Sequence, residues 1–413
     1  MPINLRVTAL AFGGPALGRS AGRVVFVPFA APGDLVRVRV CESRARWARA
    51  ELLELLEPGA ARRVPPCPLA GRCGGCPWQH VDYAAQWAAK QEIVAHALRP
   101  LAPPPIEFVA APAELHYRRR VRLRWQRGPG GLRLGFHGWR RREIVDLAAC
   151  PLLVPALDRG LKRLRTCLSS GPPARGTLAL LAGLEQEVHF SLRVEQGAVP
   201  VADAWLGDGV VGGVVGGEDR PPCGYGQPDV VIDRRGLRAS AACFAQANAA
   251  QDEALRARLQ ALSAVAAGRA VLELYAGCGN LTAALDRRVA SVLAVESDRE
   301  AAALLLRNRA LVRPPLELRS DTAAAAVAAL AREGSSFPLI VLDPPREGAR
   351  EIMAALAPLA SERIVYVSCD PPTLVRDLSV LLAQGFRLTS VFALDTMPQT
   401  HHLELVVAMD RGA

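Results

Sequence analysis

From about residue 243 onward, short apolar runs alternate with helical stretches, and this alternation confines the second half of the chain to one class of fold. The runs are Ala270–Tyr275, Ser291–Glu296, Leu316–Arg319, Pro338–Leu342, Arg363–Ser368, Leu388–Ala393 and Leu403–Met409, preceded by a helical segment, Gln246–Leu262. Strands alternating with helices build a doubly wound, mostly parallel sheet with helices on both faces. Such sheets bind ligands outside the carboxyl ends of their strands.

The first 57 residues follow another pattern. Leu5–Ala9, Val24–Pro28, Leu35–Val40 and Trp47–Leu56 are separated by Gly13-Gly14-Pro15, Ser20–Gly22 and Ala31–Asp34, and this even spacing predicts a small closed barrel. A Pro-rich break, Glu57-Pro58-Gly59 and Arg62–Pro66, ends it. Three units are therefore expected: a barrel over 1–57, a mixed α+β central unit over 58–242 and an α/β unit over 243–413. In the central unit Pro100–Pro105 and Gly207–Gly217 read as loops. The strand order there is not readable.

No run reaches the roughly 18 apolar residues of a membrane span. Met1–Val7 has no positive-then-apolar leader, so a soluble cytoplasmic protein is the expectation. A net charge of +10 fits a polyanionic partner, and fits equally an arginine-rich composition bias. Clustering is more informative. Arg118, Arg119, Arg120, Arg122, Arg124 and Arg127 fall in a strand-like stretch whose alternate side chains share a face, a plausible phosphate-tracking stripe.

The run Val271–Leu274 leads into Tyr275-Ala276-Gly277-Cys278-Gly279-Asn280, where glycines permit a tight turn and a close approach of backbone to ligand before a helix opening at Asn280. Glu296 ends the next strand, placed to accept ribose hydroxyls. The third glycine of the dinucleotide fingerprint and a phosphate-cradling Lys-Ser/Thr pair are missing, which favours S-adenosylmethionine over NAD or ATP. Asp343 ends the fourth strand at the same edge. Asp321, after the third, reads as a site acid or an ordinary cap.

Asp343-Pro344-Pro345-Arg346-Glu347-Gly348 and Ser368-Cys369-Asp370-Pro371-Pro372-Thr373 each follow an apolar strand. Double prolines stiffen both loops. Cys369 is thus either an accessible thiol at the ligand edge or a buried structural one. Cys67, Cys73 and Cys76 crowd together, and with Cys150 they make a four-thiolate set suited to zinc or to an iron–sulfur cluster.

Five ordered segments carry a resemblance: Phe244-Ala-Gln246-Ala-Asn248, Leu274–Asn280, Asp343–Gly348, Tyr366–Leu378 and Asp395-Thr-Met-Pro-Gln-Thr-His-His-Leu-Glu404. Over essentially its whole length the chain resembles the RNA uracil-5-methyltransferases. The resemblance implies a Rossmann-like, seven-stranded methyltransferase unit in which Cys369 is the nucleophile and Glu404 the general base. It implies that Gln246, Tyr275, Asn280, Glu296, Asp321 and Asp343 line the S-adenosylmethionine site. It also implies a [4Fe–4S] cluster on Cys67, Cys73, Cys76 and Cys150, and makes the barrel an RNA-binding TRAM-like oligonucleotide barrel. Barrel and cluster together point to the 23S ribosomal RNA branch, of the uracil-1939 type, acting as a monomer. The alternatives are another rRNA uracil, tRNA, or a non-catalytic RNA-binding protein. Ala276 and Met397 depart from the residues usual in the family, cysteine and phenylalanine. Phe244 is expected in the core rather than on a base. Phe26 and Phe29 stack or pack, and Trp78, Gln79 and His80 flank the cluster where RNA contact is conceivable, with packing the expected task of Trp78.

Overall fold

The computed structural model describes residues 2–200, 202–217 and 220–412. Strands β1 (Pro2–Leu10), β2 (Ala16–Ser20), β3 (Arg23–Val27), β4 (Leu35–Ser43) and β5 (Trp47–Glu57) close into a barrel of order β1-β2-β3-β5-β4. Alternate residues fill it: Leu5 and Val7, Val25 and Val27, Val36 and Val38, Ala48 and Ala50 are all buried. Strand β2 has little β-propensity of its own. Its Gly18 is required by a neighbour, since a Cβ there would lie 2.4 Å from the Arg6 carbonyl oxygen.

The central stretch contributes α1 (Tyr83–Leu98), β6 (Ile106–Val109), β7 (Arg120–Gly128), β8 (Gly131–His137), β9 (Ile144–Asp146), α2 (Pro155–Ser169), β10 (Ala174–Ala182), β11 (Val188–Gln196), β12 (Val210–Gly217) and β13 (Arg220–Gly226). Seven of these strands form a sheet of order β13-β12-β11-β10-β7-β8-β9. Leu157, Leu161, Leu164 and Leu168 on one stripe of α2 pack against Val121, Leu123, Trp125, Leu178 and Leu180. Most of the expected loop Gly207–Gly217 is strand β12. Its glycines mark close approach, not flexibility: a Cβ on Gly213 would lie 2.4 Å from the Phe190 ring. A two-residue pairing, β14 (Val230–Val231) with β15 (Arg238–Ala239), follows.

The remaining elements are α3 (Ala249–Ser263), β16 (Ala270–Leu274), β17 (Ser291–Val295), α4 (Arg299–Arg307), β18 (Leu316–Arg319), α5 (Ala323–Arg332), β19 (Phe337–Leu342), α6 (Arg350–Leu356), β20 (Ala360–Ser368), α7 (Pro371–Leu382), β21 (Phe386–Leu394) and β22 (Glu404–Arg411). All seven expected strands are present, in the order β18-β17-β16-β19-β20-β22-β21, and β22 alone runs antiparallel. Alternation feeds both faces. Leu272, Ile340, Leu342, Ile364 and Tyr366 pack under α5, α6, α7 and α1, whereas Val271, Leu339, Val341, Val365 and Val367 pack on the side of α3.

Two features depart from the sequence reading. The sheet has an eighth strand, because β6 pairs in parallel with β21 and α1 packs beside α7. And no α-helix opens at Asn280; after the glycine turn the chain makes only a 3-10 turn, Thr282–Ala284, before β17. Among the described residues no helix is long and apolar enough to cross a membrane.

Candidate active site

Strand β16 has β17 on one side and β19 on the other, so the chain reverses its winding between β16 and β19 and opens a crevice at their carboxyl ends. The glycine turn leaves β16 there and Asp343 leaves β19. Tyr275 holds φ +61°, a conformation costly for a side-chain-bearing residue, and Gly277 and Gly279 continue it at +58° and +91°. The Gly277 N–H donates to Glu296 Oε2 at 2.8 Å and the Asp298 N–H donates to Oε1 at 2.7 Å, which aims the carboxylate at the turn and leaves lone pairs for a ligand. Asn280 donates to Asp252 at 2.7 Å, and its own carbonyl oxygen is buried without a partner. Gln246 is buried just before Asn248, which caps α3. Asp321 is exposed beyond β18, its carboxylate accepting the Thr322 N–H.

A second group lies where β20 meets β22. Ser368 pairs with Leu405 across antiparallel strands, so the next residues outward, Cys369 and Glu404, stand together at the sheet edge. Arg346, from the loop after β19, brings its positive charge to bear on the Cys369 thiol. Burial and the nearby Glu404 charge push that thiol up to about 12, and Arg346 works against them. Glu404 is buried and raised above the usual carboxylate range, by desolvation first and then by Asp343. Asp343 is raised to about 7 by burial and by Asp252. Beneath the turn, Glu273 is buried with neither carboxylate oxygen partnered, and burial lifts it to about 8. A cationic ligand would favour the ionised form of these carboxyls.

The loops are held from a distance. Tyr366 and the Ala349 N–H both donate to Asp377, and this fixes the turn that carries Arg346. Lys90, fully buried on α1, donates to Asp395 at 2.6 Å and to the carbonyls of Met397 at 3.0 Å and His402 at 2.7 Å, spanning the loop that leads into Glu404. Gln86, one helical turn earlier, accepts the Gln399 N–H at 2.8 Å and donates to its side-chain carbonyl at 2.9 Å. Tyr83, Tyr117 and the Trp78 backbone N–H complete the clamp on Asp395, Pro398 and Gln399. The sequence showed no reason to single out Lys90, Gln86, Asp252 or Glu273. A Lys and a Gln at i, i+4 amid alanines on α1 was the available signal.

Cys67, Cys73, Cys76 and Cys150 line one small cavity with Arg118, Gln79, Phe136 and Leu152. Burial raises the thiols of Cys73, Cys76 and Cys150, and Arg118 opposes each shift. Among the described residues no group of three His, Cys, Asp or Glu side chains is set to hold a single metal ion. Gly74 permits the close turn, since a Cβ there would lie 2.9 Å from the His137 carbonyl oxygen.

The arginine stripe proves to be several separate parts. Arg118 faces the cysteines, and Arg119 is buried against Asp252 and the carbonyls of Gln246 and Ile232. Arg124 is paired with Glu195 and Arg127 caps the end of α2. Arg122 is exposed, whereas Arg120 is half-buried and donates to the Cys243 carbonyl at 3.1 Å. Phe244 is 63% exposed beneath the Arg120 guanidinium, not in the core. Trp78, Gln79 and His80 are buried, which removes them from RNA contact.

The TRAM domain model matches residues 3–53, and a model described as Conserved hypothetical protein 95 matches residues 250–378. The chain is 34% identical to the 23S rRNA (uracil(1939)-C(5))-methyltransferase RlmD of Pseudomonas putida, over 99% of this chain and 94% of that protein. It is 32% identical to an uncharacterized RNA methyltransferase of Thermosynechococcus vestitus, over 98% and 97%. The crystal structure of Pyrococcus abyssi tRNA (uracil-54, C5)-methyltransferase with S-adenosyl-L-homocysteine matches with a TM-score of 0.74 at 23% identity, covering 98% of this chain and all of that one, and so shares the fold. With these full-length relatives, the chain belongs to the RNA uracil-5-methyltransferase family.

Proposed function

We propose that the protein methylates carbon 5 of a uracil in 23S ribosomal RNA, of the uracil-1939 type, through a covalent bond from Cys369 to carbon 6. The observation that carries this reading is the pairing of Ser368 with Leu405, which sets a thiol beside a buried carboxylate with Arg346 within reach of both. Uracil C5 is a poor nucleophile. Addition of the Cys369 thiolate to C6 pushes the electron pair toward O4 and makes C5 an enolate carbon that takes the methyl group. Glu404 then removes the C5 proton, the C5–C6 double bond re-forms and the thiolate leaves. A raised pKa suits a base that must hold that proton.

S-adenosylmethionine supplies the electrophilic methyl when bound. Gln246, Tyr275, Asn280, Glu296, Asp321 and Asp343 are its proposed partners, and the unpartnered oxygens of Asn280 and Glu273 beside the glycine turn fit a polar, cationic ligand. A [4Fe–4S] cluster on Cys67, Cys73, Cys76 and Cys150 is the proposed metal group. It would tie four thiolates from two segments, and Arg118 would offset their charge. The target uracil must leave its stack to reach Cys369. The protein would act in the cytoplasm.

The test is transfer of labelled methyl to 23S rRNA by wild type, Cys369→Ala and Glu404→Gln, with the modified nucleotide mapped. Cys369→Ala should abolish turnover. Glu404→Gln should accumulate RNA bound to protein, because elimination is blocked. Turnover by Cys369→Ala would reject the mechanism, and product only on tRNA would reject the substrate.

A further inference from the structure

A cavity of about 380 Å³ opens at the seam between the barrel and the central unit, lined by Phe12, Phe26, Trp47, Arg49 and Arg140 with Pro15 and Pro28. None of these residues belongs to the site above. The volume lies in the roughly 300–1,000 Å³ range of small-ligand pockets. Its composition is specific: three aromatic rings offer stacking faces, and two guanidiniums stand at the rim. The Arg49 guanidinium lies 5.0 Å from the Trp47 ring centre and is also bound to Glu42. Arg140 is exposed, lies 5.8 Å from the Trp139 ring and forms no ion pair among the described residues. Aromatic faces beside free arginine are how proteins take an unstacked base and its phosphate.

The cavity also adjoins the catalytic loop. The Phe12 ring meets His401 edge-on at 5.3 Å, His401 lies against His402 at 4.0 Å, and His402 lies 3.4 Å from an Arg346 nitrogen. A strand whose uracil reaches Cys369 therefore runs close to this seam.

We propose that the seam pocket holds a second unstacked nucleotide of the same RNA strand, its base against Trp47 and Phe26 and its phosphate on Arg140. The pocket draws its wall from both units, so neither the barrel nor the central unit contains the site alone. This inference rests on the RNA-methylating reading. Holding a second base fixes the register of the strand, so the pocket selects which uracil is presented without touching the reaction itself.

The experiment uses the full-length protein and RNA oligonucleotides carrying the target uracil, with one abasic nucleotide placed at each flanking position in turn. With wild type, one flanking position besides the target should weaken binding about tenfold, in keeping with the stacking energy of one base. In Trp47→Ala that position should lose its sensitivity, and Trp47→Phe should retain it. Arg140→Glu, at an exposed residue, should weaken binding of the intact RNA, raising KM more than it lowers kcat. Equal affinity of Trp47→Ala, Arg140→Glu and wild type for intact RNA, or a flanking sensitivity that survives Trp47→Ala, would overturn the pocket. A wild-type protein that binds these RNAs but methylates none would instead overturn the reading beneath it.

Discussion

The residue that draws Cys369 back toward its thiolate is Arg346, whose motif was visible but whose direction was not. A thiol held at about 12 by burial and by Glu404 is almost wholly protonated near neutrality, and Arg346 keeps it from rising further. Arg346→Ala should lower kcat/KM by about 10²–10³, the usual cost of losing one preorganised charged donor. It should also slow alkylation of Cys369 by iodoacetamide, a readout that needs no RNA. Arg346→Lys should recover part of both. The pH dependence follows from the same shifts. The proposed mechanism needs Cys369 and Glu404 both ionised, and burial raises both, so ionisation is lost as pH falls. We expect kcat/KM to climb from pH 6 to pH 9; a flat profile over that range would contradict the assignment.

At the scale of elements, the loop between β21 and β22 is shaped by α1, which lies far away in sequence. Lys90 and Asp395 are fully buried, and removing one partner of such a pair costs about 3–5 kcal/mol. Lys90→Met should therefore lower stability by that order in urea denaturation and also remove activity. The double replacement Lys90→Met with Asp395→Leu should regain stability but not turnover, because the carbonyls of Met397 and His402 would still lack their donor. This dependence explains what the sequence could disclose. Strands β16–β22 were legible because each is a short apolar run bounded by helices or turns, and their shared carboxyl edge followed. The glycines of β12 read as a loop because their need comes from a partner backbone and ring, which a linear pattern does not contain. Lys90 was invisible for the same reason: its three acceptors lie some three hundred residues further along the chain.

Across the whole molecule, the +10 charge is spread unevenly once buried and paired arginines are set aside. Arg119 and Arg127 serve the interior, whereas Arg122, Arg140, Arg141 and Arg142 face solvent. RNA affinity should fall linearly in a log–log plot against salt. Arg122→Ala should reduce the slope by about 0.7–1, as expected for the loss of one phosphate contact. An unchanged slope would place RNA away from the face of β7. Trp78 has a comparable reach: its indole donates to the Gly14 carbonyl of the barrel at 2.8 Å while its backbone N–H holds Gln399. Barrel, cysteine segment and the loop leading to Glu404 thus share one buried residue.

Strand β6 has a consequence for how such a chain can be made or cut. Its four residues close the flank of the catalytic sheet, covering backbone groups of β21 that would otherwise invite pairing with another molecule. A fragment beginning at residue 243 would carry that flank bare and should tend to self-associate. During synthesis the order is reversed, since β6 leaves the ribosome long before β21. The earlier half can therefore wait as a template onto which the last strands are laid.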